Sequence, residues 1–489
     1  MSRRDLLTEP AWQGADLGAP LPDSPHAVSV ALPRWQDVVG YEEKKPEVIS
    51  KLALGYPRFV IHPQVQELAK QIGPGYSCLP FPSLTVAKIA AAYVRHAAKT
   101  STNVVLGKGV FGVVTDASGA QALKDFWQHA GWIVSSRRAQ AALEGRRENT
   151  DEAVEARKEL TQRLAGLYDC APDDVLLTPT GMAAQFAAFR ILLDRCPEQR
   201  TVQLGFPYVD TLKIQQKFGV GAHLVTQLED CEQQLAKILS AEPLAAVFAE
   251  LPGNPLLGCA DLNKLTPLLR QYGVPLVADD VIATPFNLNL GPHADLITTS
   301  LTKYIVGSCD AMGGALICNP RSPYYAELKA AARAQHEDLL WGEDAVIHAT
   351  RSRDFVDRMK RHNANGLFIA EKLRAHPSVA KVWYPKWENA EAYETIRRPE
   401  GGYGALLSFL TKSDATTAPR VFDALQVSKG PSFGTLFSLA SPFTLLAHYH
   451  ELDWAESCGV PRNLIRLGVG LEDPNDLWAR IDLALKTGG

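Results

Sequence analysis

The chain has 489 residues, which at roughly 100–200 residues per domain predicts several folding units and excludes a single short binding module. It carries 50 Lys and Arg against 54 Asp and Glu, a formal net charge of −4. It therefore has no large basic field with which to bind nucleic acid or acidic membranes. Hydrophobic residues make up 46% and charged residues 21% of the chain, proportions typical of a globular protein with several cores.

The scattered cysteines argue against a disulfide framework or a metal site. The eight cysteines include no C-x-x-C pair, and His448 and His450 have no third ligand at metal-site spacing, so no metal is predicted. Arg3 and Arg4 resemble a twin-arginine export signal, but no apolar segment follows them, and we interpret this stretch as a frayed terminus. No apolar run approaches the length of a membrane span. We therefore expect a protein of the reducing cytoplasm.

Residues 1–148 are the least informative part of the sequence. Residues 1 to about 30 are rich in Pro, Gly and Asp and predict an extended arm. Residues 106–114 match the glycine-rich loop of protein kinases, and Lys124 follows them. Phosphoryl transfer also needs a catalytic Asp with a following Asn and a second, metal-binding Asp, but no Asp-Phe-Gly occurs in the sequence. We therefore interpret residues 106–114 as a strand with loop glycines.

Residues 149–340 are predicted to form an α/β domain with a mostly parallel sheet, because short apolar runs alternate with helical stretches. Ligands of such sheets bind at the carboxyl ends of the strands. Residues 341–489 are predicted to form a smaller α+β domain that begins with a long charged helix over about 341–374. The strands predicted in these two parts are residues 174–178, 244–249, 274–279, 295–300, 379–384, 405–410 and 464–470. The helices predicted are residues 150–168, 182–193, 262–272 and a last one from about 476.

Four predicted strand ends carry different polar groups. Lys303 follows one strand, Asp279 ends a second, and Glu250 ends a third, shortly before Asn254. The fourth strand passes into a helix through the small-residue turn at 178–184, whose backbone N–H groups and helix dipole suit an anion. Taken singly, these residues would be interpreted as a solvated lysine and as helix caps. Together they indicate one site.

At these positions the sequence resembles the Cys/Met metabolism family of pyridoxal-phosphate enzymes, and within it the long-form, fungal-type cystathionine γ-synthases. Several motifs occur in the order of the family, which makes the resemblance more specific than any one of them. The further matching stretches are residues 25–30, 32–43, 205–213, 401–404, 447–449 and 466–472. The resemblance implies the fold of the aspartate aminotransferase type (fold type I), a large domain with a mostly parallel sheet and a smaller C-terminal domain.

The resemblance also implies the cofactor, pyridoxal 5′-phosphate, and the residues that hold it. Lys303 would bond to the cofactor aldehyde and, once displaced by substrate, move protons, since desolvation and nearby positive charge lower the pKa of a lysine. Asp279 would keep the pyridine nitrogen protonated, which makes the ring an electron sink. Tyr208 would stack on the ring, and Asn254 would hydrogen-bond its hydroxyl group. The phosphate would be bound by Thr180, Gly181, Met182, Ser300 and Thr302.

The resemblance implies further that Tyr56 and Arg58 reach into the site of a neighbouring subunit, Arg58 gripping the phosphate there and Tyr56 also facing the substrate. A homo-oligomer follows, a dimer or a tetramer of dimers with shared sites. Arg466 would bind the α-carboxylate of the substrate, with Ser432 beside it. Without the resemblance, Arg58 would be interpreted as a surface arginine and Ser432 as a turn residue.

Four positions depart from the family pattern and leave the substrate open. They are Ser308, Asp280, Phe437 and Gly468, and in the family such positions border the substrate region. The reaction implied is γ-replacement on an O-acylated homoserine with cysteine, giving cystathionine. The alternatives are γ-elimination, γ-replacement with an oxygen, nitrogen or carbon nucleophile, and a catalytically silent regulatory protein on the same fold. Retention of Lys303, Asp279 and Arg466 argues against the silent protein, which has no chemical need for them.

Overall fold

Three regions follow one another along the chain; the first contains a two-stranded and a three-stranded sheet, and the other two each contain one larger sheet. The computed structural model describes residues 4–488, so the first three residues of the predicted frayed terminus lie outside the described part. The strands of the first region are β1 (Pro20–Leu21), β2 (Ser29–Val30), β3 (Ser77–Phe81), β4 (Thr102–Gly107) and β5 (Val110–Thr115). Its helices are α1 (Trp35–Glu42), α2 (Pro46–Ile49), α3 (Pro63–Ile72), α4 (Leu84–Ala98), α5 (Ala120–Ala130) and α6 (Ser136–Glu144).

The kinase-like glycine pattern is part of a β-hairpin. Strands β4 and β5 pair antiparallel through a two-residue turn at Lys108 and Gly109, whose φ values are 55° and 78°. Positive φ at both central residues is the requirement of a type I′ hairpin turn, which glycine meets easily. The interpretation of residues 106–114 as a strand with loop glycines is confirmed.

The predicted N-terminal arm runs along the rest of its own chain. The backbone N–H of Ala11 donates to Ser428 Oγ at 3.1 Å. The N–H groups of Val28 and Leu32 donate to the carbonyls of Cys309 and Lys429, at 2.8 and 2.9 Å. These bonds bring the arm next to the segments that carry the site.

The second region is an α/β domain with helices on both faces of a seven-stranded sheet. Its strands are β6 (Val175–Thr178), β7 (Arg200–Leu204), β8 (Ala222–Val225), β9 (Leu244–Glu250), β10 (Leu276–Asp279), β11 (Leu296–Ser300) and β12 (Gly314–Cys318). Its helices are α7 (Thr150–Tyr168), α8 (Gly181–Arg195), α9 (Val209–Phe218), α10 (Cys231–Ala241), α11 (Leu262–Tyr272), α12 (Thr284–Asn287) and α13 (Tyr325–Gln335). The strand order is β6-β12-β11-β10-β9-β7-β8. Only β12 runs antiparallel to its neighbours in this sheet of the described chain, which confirms the mostly parallel sheet.

The third region begins with two helices, α14 (Gly342–Arg351) and α15 (Phe355–Ala375). The sequence predicted a single helix here. The helix breaks at Ser352, whose hydroxyl donates to the carbonyl of His348 at 2.6 Å, while Arg358 donates to the carbonyl of Arg351 at 3.0 Å. Side chains that take up backbone groups in this way compete with helix continuation. The one-helix prediction was therefore wrong.

The C-terminal sheet has the order β13-β14-β17-β16-β15. Its strands are β13 (Val379–Trp383), β14 (Leu406–Thr411), β15 (Ser428–Lys429), β16 (Leu439–Pro442) and β17 (Ile465–Gly468). Its helices are α16 (Ala390–Ile396), α17 (Asp414–Ala424), α18 (Phe443–Ala447), α19 (Leu452–Ser457) and α20 (Pro474–Leu485). None of the helices within residues 4–488 combines the length and apolar character of a membrane span.

A close approach at Gly314 gives a test of the fold. A Cβ atom there would lie 2.4 Å from the carbonyl oxygen of Thr180. The residue at this position of β12 must therefore lack a side chain for the strand to lie next to the start of α8. We expect Gly314→Ala to destabilise the protein by about 1–3 kcal/mol, the usual cost of overpacking, and to lower the melting temperature. Gly166→Ala is the control, since nothing lies within 4 Å of a Cβ there. Equal melting temperatures for the two variants would contradict the tight contact.

Candidate active site

A cavity of about 310 Å³ opens at the carboxyl ends of β9, β10 and β11 and is lined by residues of all three regions. Glu250, Asp279 and Ser300, the last residues of these three strands, lie in its wall. The predicted site residues that line the cavity are Tyr56, Arg58, Gly181, Met182, Tyr208, Asp279, Ser300, Lys303, Ser432 and Arg466. The structure therefore brings most of the predicted site together.

Lys303 lies in a π-helical turn, Leu301–Ile305, directly after β11. Its φ of −84° and ψ of −131° leave the helical region, and its side chain is buried at 8% exposure. Nζ donates to Ser432 Oγ at 2.6 Å, and it lies 4.8 Å from the centre of the Tyr56 ring. Burial lowers the pKa of Lys303, and the charges of Arg466 and Arg58 lower it further. The amine is thus suited to accept as well as donate a proton.

Two half-buried carboxyl groups lie side by side on adjacent strands, since Asp279 of β10 pairs in register with Glu250 of β9. Asp279 accepts hydrogen bonds from Gln185 Nε2 at 2.7 Å and from the N–H of Val281 at 2.9 Å. Burial raises the pKa of Asp279 to about 6. Burial and the nearby charge of Asp279 raise the pKa of Glu250 to about 8. The two hydrogen bonds that Asp279 accepts favour its charged form, which suits a protonated ring nitrogen.

The start of α8 forms an anion cradle. A Cβ on Gly181 would lie 2.7 Å from Ser300 Cβ, so glycine lets the end of β11 approach the first turn of the helix, where free N–H groups favour an anion. Thr180 caps this helix, its Oγ1 accepting from the N–H of Ala183 at 3.0 Å. Thr302 Oγ1 accepts from the N–H of Gly313 at 3.1 Å. The hydroxyls of Thr180 and Thr302 thus hold the backbone, and neither residue is part of the cavity wall within residues 4–488.

Arg58 is bound by its own chain. Its guanidinium donates to Asp210 and to the Tyr208 hydroxyl, and to the carbonyl of Gln128 at 2.7 Å. Although burial alone would raise the pKa of Asp210, the charge of Arg58 and a hydrogen bond from His129 hold it at about 2. The ion pair therefore stays fully charged at neutral pH.

Tyr56 and Arg58 line the cavity that holds Lys303 of the same chain. Residues 56–58 are anchored on α5, where Trp127 Nε1 donates to the carbonyl of Pro57 at 3.3 Å. The region 1–148 thus contributes to its own site in this structure. The role of Tyr56 and Arg58 toward a neighbouring subunit, which the resemblance implied, stays a prediction.

Arg466 crosses the cavity from β17 and is held by two acceptors. Its Nη1 donates to Asn254 Oδ1 and its Nη2 to the carbonyl of Ser432, each at 3.0 Å. Burial lowers the pKa of Arg466 to about 10, still far enough above neutrality to keep its charge. Ser432 has a φ of 104°, a conformation unusual for a residue with a side chain. Asn254 thus positions Arg466, and its predicted contact with the cofactor stays a prediction.

The four departures from the family pattern lie outside the cavity wall in the described part of the chain. Phe437 and Ser308 line a second cavity, of about 530 Å³, and Asp280 is buried with Tyr168, whose hydroxyl donates to it at 3.1 Å. A Cβ on Gly468 would lie 3.3 Å from Phe433 Cβ, so this glycine reaches the cavity only through Phe433. That these positions border the substrate therefore stays a prediction.

Sequence reasoning gave no site role to six charged or amide residues of the cavity wall, Glu42, Lys44, Lys124, Gln128, Gln185 and Glu250. Gln185 could have been found, because it stands four residues after Gly181 on a helix and so shares its face. Glu250 was recognised as the end of a strand but was given no role. Glu42 and Gln128 belong to the N-terminal region, where no local pattern indicated which further side chains reach the cavity.

Comparison with known proteins agrees with this geometry. Residues 136–486 match the family described as Cys/Met metabolism PLP-dependent enzyme. The chain is 34% identical to a cystathionine gamma-synthase of Neurospora crassa, covering 96% of this chain and 98% of that one. It is also 34% identical to an L-2-amino-4-chloropent-4-enoate dechlorinase/desaturase of Streptantibioticus cattleyicolor, covering 93% and 95%. The crystal structure of cystathionine gamma synthase from Xanthomonas oryzae pv. oryzae in complex with cystathionine aligns with a TM-score of 0.60 at 25% identity, over 68% of this chain and 86% of that one.

The cavity fits pyridoxal phosphate at three points. It offers the buried amine of Lys303 for the aldehyde, the carboxylate of Asp279 for the ring nitrogen and the cradle at Gly181 for the phosphate. Arg58 adds a charge that is held in place by Asp210. The match covers well over half of the chain and nearly all of its relatives, and the chain therefore belongs to the Cys/Met metabolism family of pyridoxal-phosphate-dependent enzymes.

Proposed function

We propose that this enzyme joins an O-acylated homoserine to cysteine by γ-replacement and releases cystathionine. The observation that carries the proposal is the position of the Lys303 amine, 2.6 Å from Ser432, in one cavity with Arg466. This arrangement provides a proton carrier next to a binding group for an α-carboxylate. The names of relatives such as the Neurospora crassa protein support the choice of reaction.

Arg466 orients the substrate. Two of its N–H groups are taken by Asn254 and by the carbonyl of Ser432, and the rings of Phe433 and Phe443 lie 5.1 and 4.9 Å from its guanidinium carbon. The side chain is therefore fixed before the substrate arrives, and its remaining donors bind the α-carboxylate. The substrate's α-carbon then faces Lys303.

Lys303 moves the protons. Bound pyridoxal phosphate withdraws electrons from the substrate's α-carbon and so makes the α-proton acidic. Nζ of Lys303 takes this proton, releases it, and then takes a proton from Cβ, so that the acyl group leaves from Cγ with its bonding electrons as a carboxylate. The sulfur of cysteine adds at Cγ as its thiol proton is lost, and Lys303 returns protons to Cβ and Cα. Ser432 Oγ, which accepts a hydrogen bond from Nζ, steadies the amine between these positions.

The second candidate is γ-elimination, in which the same proton transfers end in release of a 2-oxo acid. It is favoured by the similarity to the dechlorinase/desaturase, whose name describes the loss of a group. Both reactions need Lys303 and Arg466 and differ in whether a nucleophile reaches Cγ. Replacement with an oxygen, nitrogen or carbon nucleophile belongs to the same class.

The proposal includes a homo-oligomer of the reducing cytoplasm in which each chain supplies its own Tyr56 and Arg58. The hydrogen bonds of Arg58 to Asp210, Tyr208 and Gln128 of the same chain support the proposal that each chain supplies its own Arg58. The scattered cysteines support the compartment.

Product analysis tests the reaction. We expect the purified enzyme, supplied with pyridoxal phosphate and with O-succinyl- or O-acetylhomoserine, to form cystathionine when cysteine is present. Mass spectrometry distinguishes this product from 2-oxobutyrate. Release of 2-oxobutyrate alone, at the same rate with and without cysteine, would establish elimination and refute replacement.

Substitution of Lys303 tests the proton carrier. Lys303→Ala should lower kcat by at least 10²-fold, the lower range for loss of general acid–base catalysis, and should abolish covalent attachment of the cofactor. Attachment is measured by mass spectrometry of the peptide after borohydride reduction. Lys124→Ala is the control, because Lys124 lines the same cavity but is exposed. Cofactor found covalently attached to the Lys303→Ala protein after reduction would contradict the assignment of Lys303 as the attachment site.

Hybrid oligomers test whether the site belongs to one chain. Arg58→Ala and Lys303→Ala subunits carrying different tags are co-expressed, and the hybrids are isolated through both tags. We expect no recovery of activity, because each chain then lacks one residue of its own site. Hybrids of wild-type and Lys303→Ala subunits are the control and should be active. Recovery in the double-variant hybrids would show that Arg58 acts across subunits.

A further inference from the structure

The wall of the active-site cavity carries a carboxylate with no assigned task. Glu42 is the last residue of α1 and lines the same cavity as Lys303 and Arg466. Its side chain is half-buried, and this burial raises the pKa of Glu42 to about 7, an effect that Lys44 only partly offsets. The carboxylate thus stands in a partly dehydrated place without a full counter-charge.

Glu42 differs from the other carboxylates of the cavity wall in its lack of donors. Asp279 accepts hydrogen bonds from Gln185 and Val281, and Glu250 accepts one from the N–H of Asn254. Within residues 4–488, no donor is bonded to Glu42. Its cationic neighbour Lys44 instead donates to the carbonyl of Tyr41 at 3.2 Å and lies 4.7 Å from the centre of that ring. A partly dehydrated carboxylate without a protein donor favours a ligand that brings one.

The groups of the first substrate are already matched elsewhere in the cavity. Arg466 takes its α-carboxylate, and its reacting carbons face Lys303. Arg58 is held by Asp210 and Tyr208 and is assigned to the cofactor phosphate. Glu42 is therefore left for the second substrate. Lys44 and Lys124 line the same cavity, so its wall offers both signs of charge, as a zwitterion requires.

We propose that Glu42 binds the α-ammonium group of an amino-acid nucleophile and so selects cysteine over thiols that lack an amino group. This inference rests on the proposed function and assigns a specificity residue within it. The bond is charge-assisted, with the ammonium donating to the carboxylate oxygens. The sulfur of the bound cysteine is then directed toward Cγ of the first substrate.

The test compares two nucleophiles with the same acylhomoserine. Cysteine and 3-mercaptopropionate share the thiol and the carboxylate, and only cysteine has the ammonium group. The ratio of their kcat/KM values is measured for the wild-type holoenzyme and for Glu42→Gln. We expect Glu42→Gln to lower the preference for cysteine by about 10- to 100-fold, the worth of a hydrogen bond to a charged group. Glu42→Asp keeps the charge and should retain most of the preference.

Glu43→Gln is the matched control, because Glu43 is the next residue but is exposed and paired with Lys45 at 2.7 Å. It should leave the preference unchanged. Release of 2-oxobutyrate without any thiol shows for each variant whether the holoenzyme has folded. An unchanged preference in Glu42→Gln, or an equal fall in Glu43→Gln, would overturn the inference alone. Failure of the wild-type enzyme to form cystathionine would overturn the proposed function and the inference with it.

Discussion

The burial of the Lys303 amine is the constraint on which the site depends. In water a lysine holds its proton at neutral pH, whereas burial and nearby positive charge favour the neutral amine. The sheet supplies Lys303 at the end of β11, but the sheet alone would leave it exposed. The N-terminal region covers it with Tyr56, and the C-terminal region closes the other side with Ser432 and Arg466. Residues far apart in the chain are thus needed to tune one amine.

The same closure buries other charges, and each has a partner that fixes its position. Arg58 is paired with Asp210, and Arg466 is held by Asn254 and the carbonyl of Ser432. A buried charge without such partners would be strongly unfavourable. Since the partners occupy part of each guanidinium, the remaining donors point in set directions. The cavity is therefore organised before a ligand binds, which lowers the cost of ordering it.

The sequence predicted those parts of the site that depend on local pattern. Asp279, Ser300 and Lys303 follow apolar strand segments, and parallel strands bring their carboxyl ends to one edge of a sheet. Gly181 was predicted for the same reason. The path of residues 41–58 could not be read in this way, because the bonds of Arg58 to Asp210 and of Trp127 to Pro57 join distant segments. The assignment of Tyr56 and Arg58 to a neighbouring subunit followed from resemblance alone and stays a prediction.

Local pattern also failed where one side chain decides the outcome. The periodicity of residues 341–374 is helical throughout, but Ser352 and Arg358 take up backbone carbonyls at the break. The hydrogen bond that the amide oxygen of Asn254 accepts from Arg466 was likewise not predicted. In both places the hydrogen bond is visible only in three dimensions.

Hydrogen exchange at the α-carbon tests the central claim, that Lys303 is the group that removes the α-proton. L-2-aminobutyrate has no leaving group at Cγ, so the first proton transfer can be observed alone in D₂O by proton NMR. The account predicts loss of the α-proton signal with the wild-type holoenzyme and its persistence with Lys303→Ala loaded with pyridoxal phosphate. Exchange at the wild-type rate in the Lys303→Ala protein would contradict it.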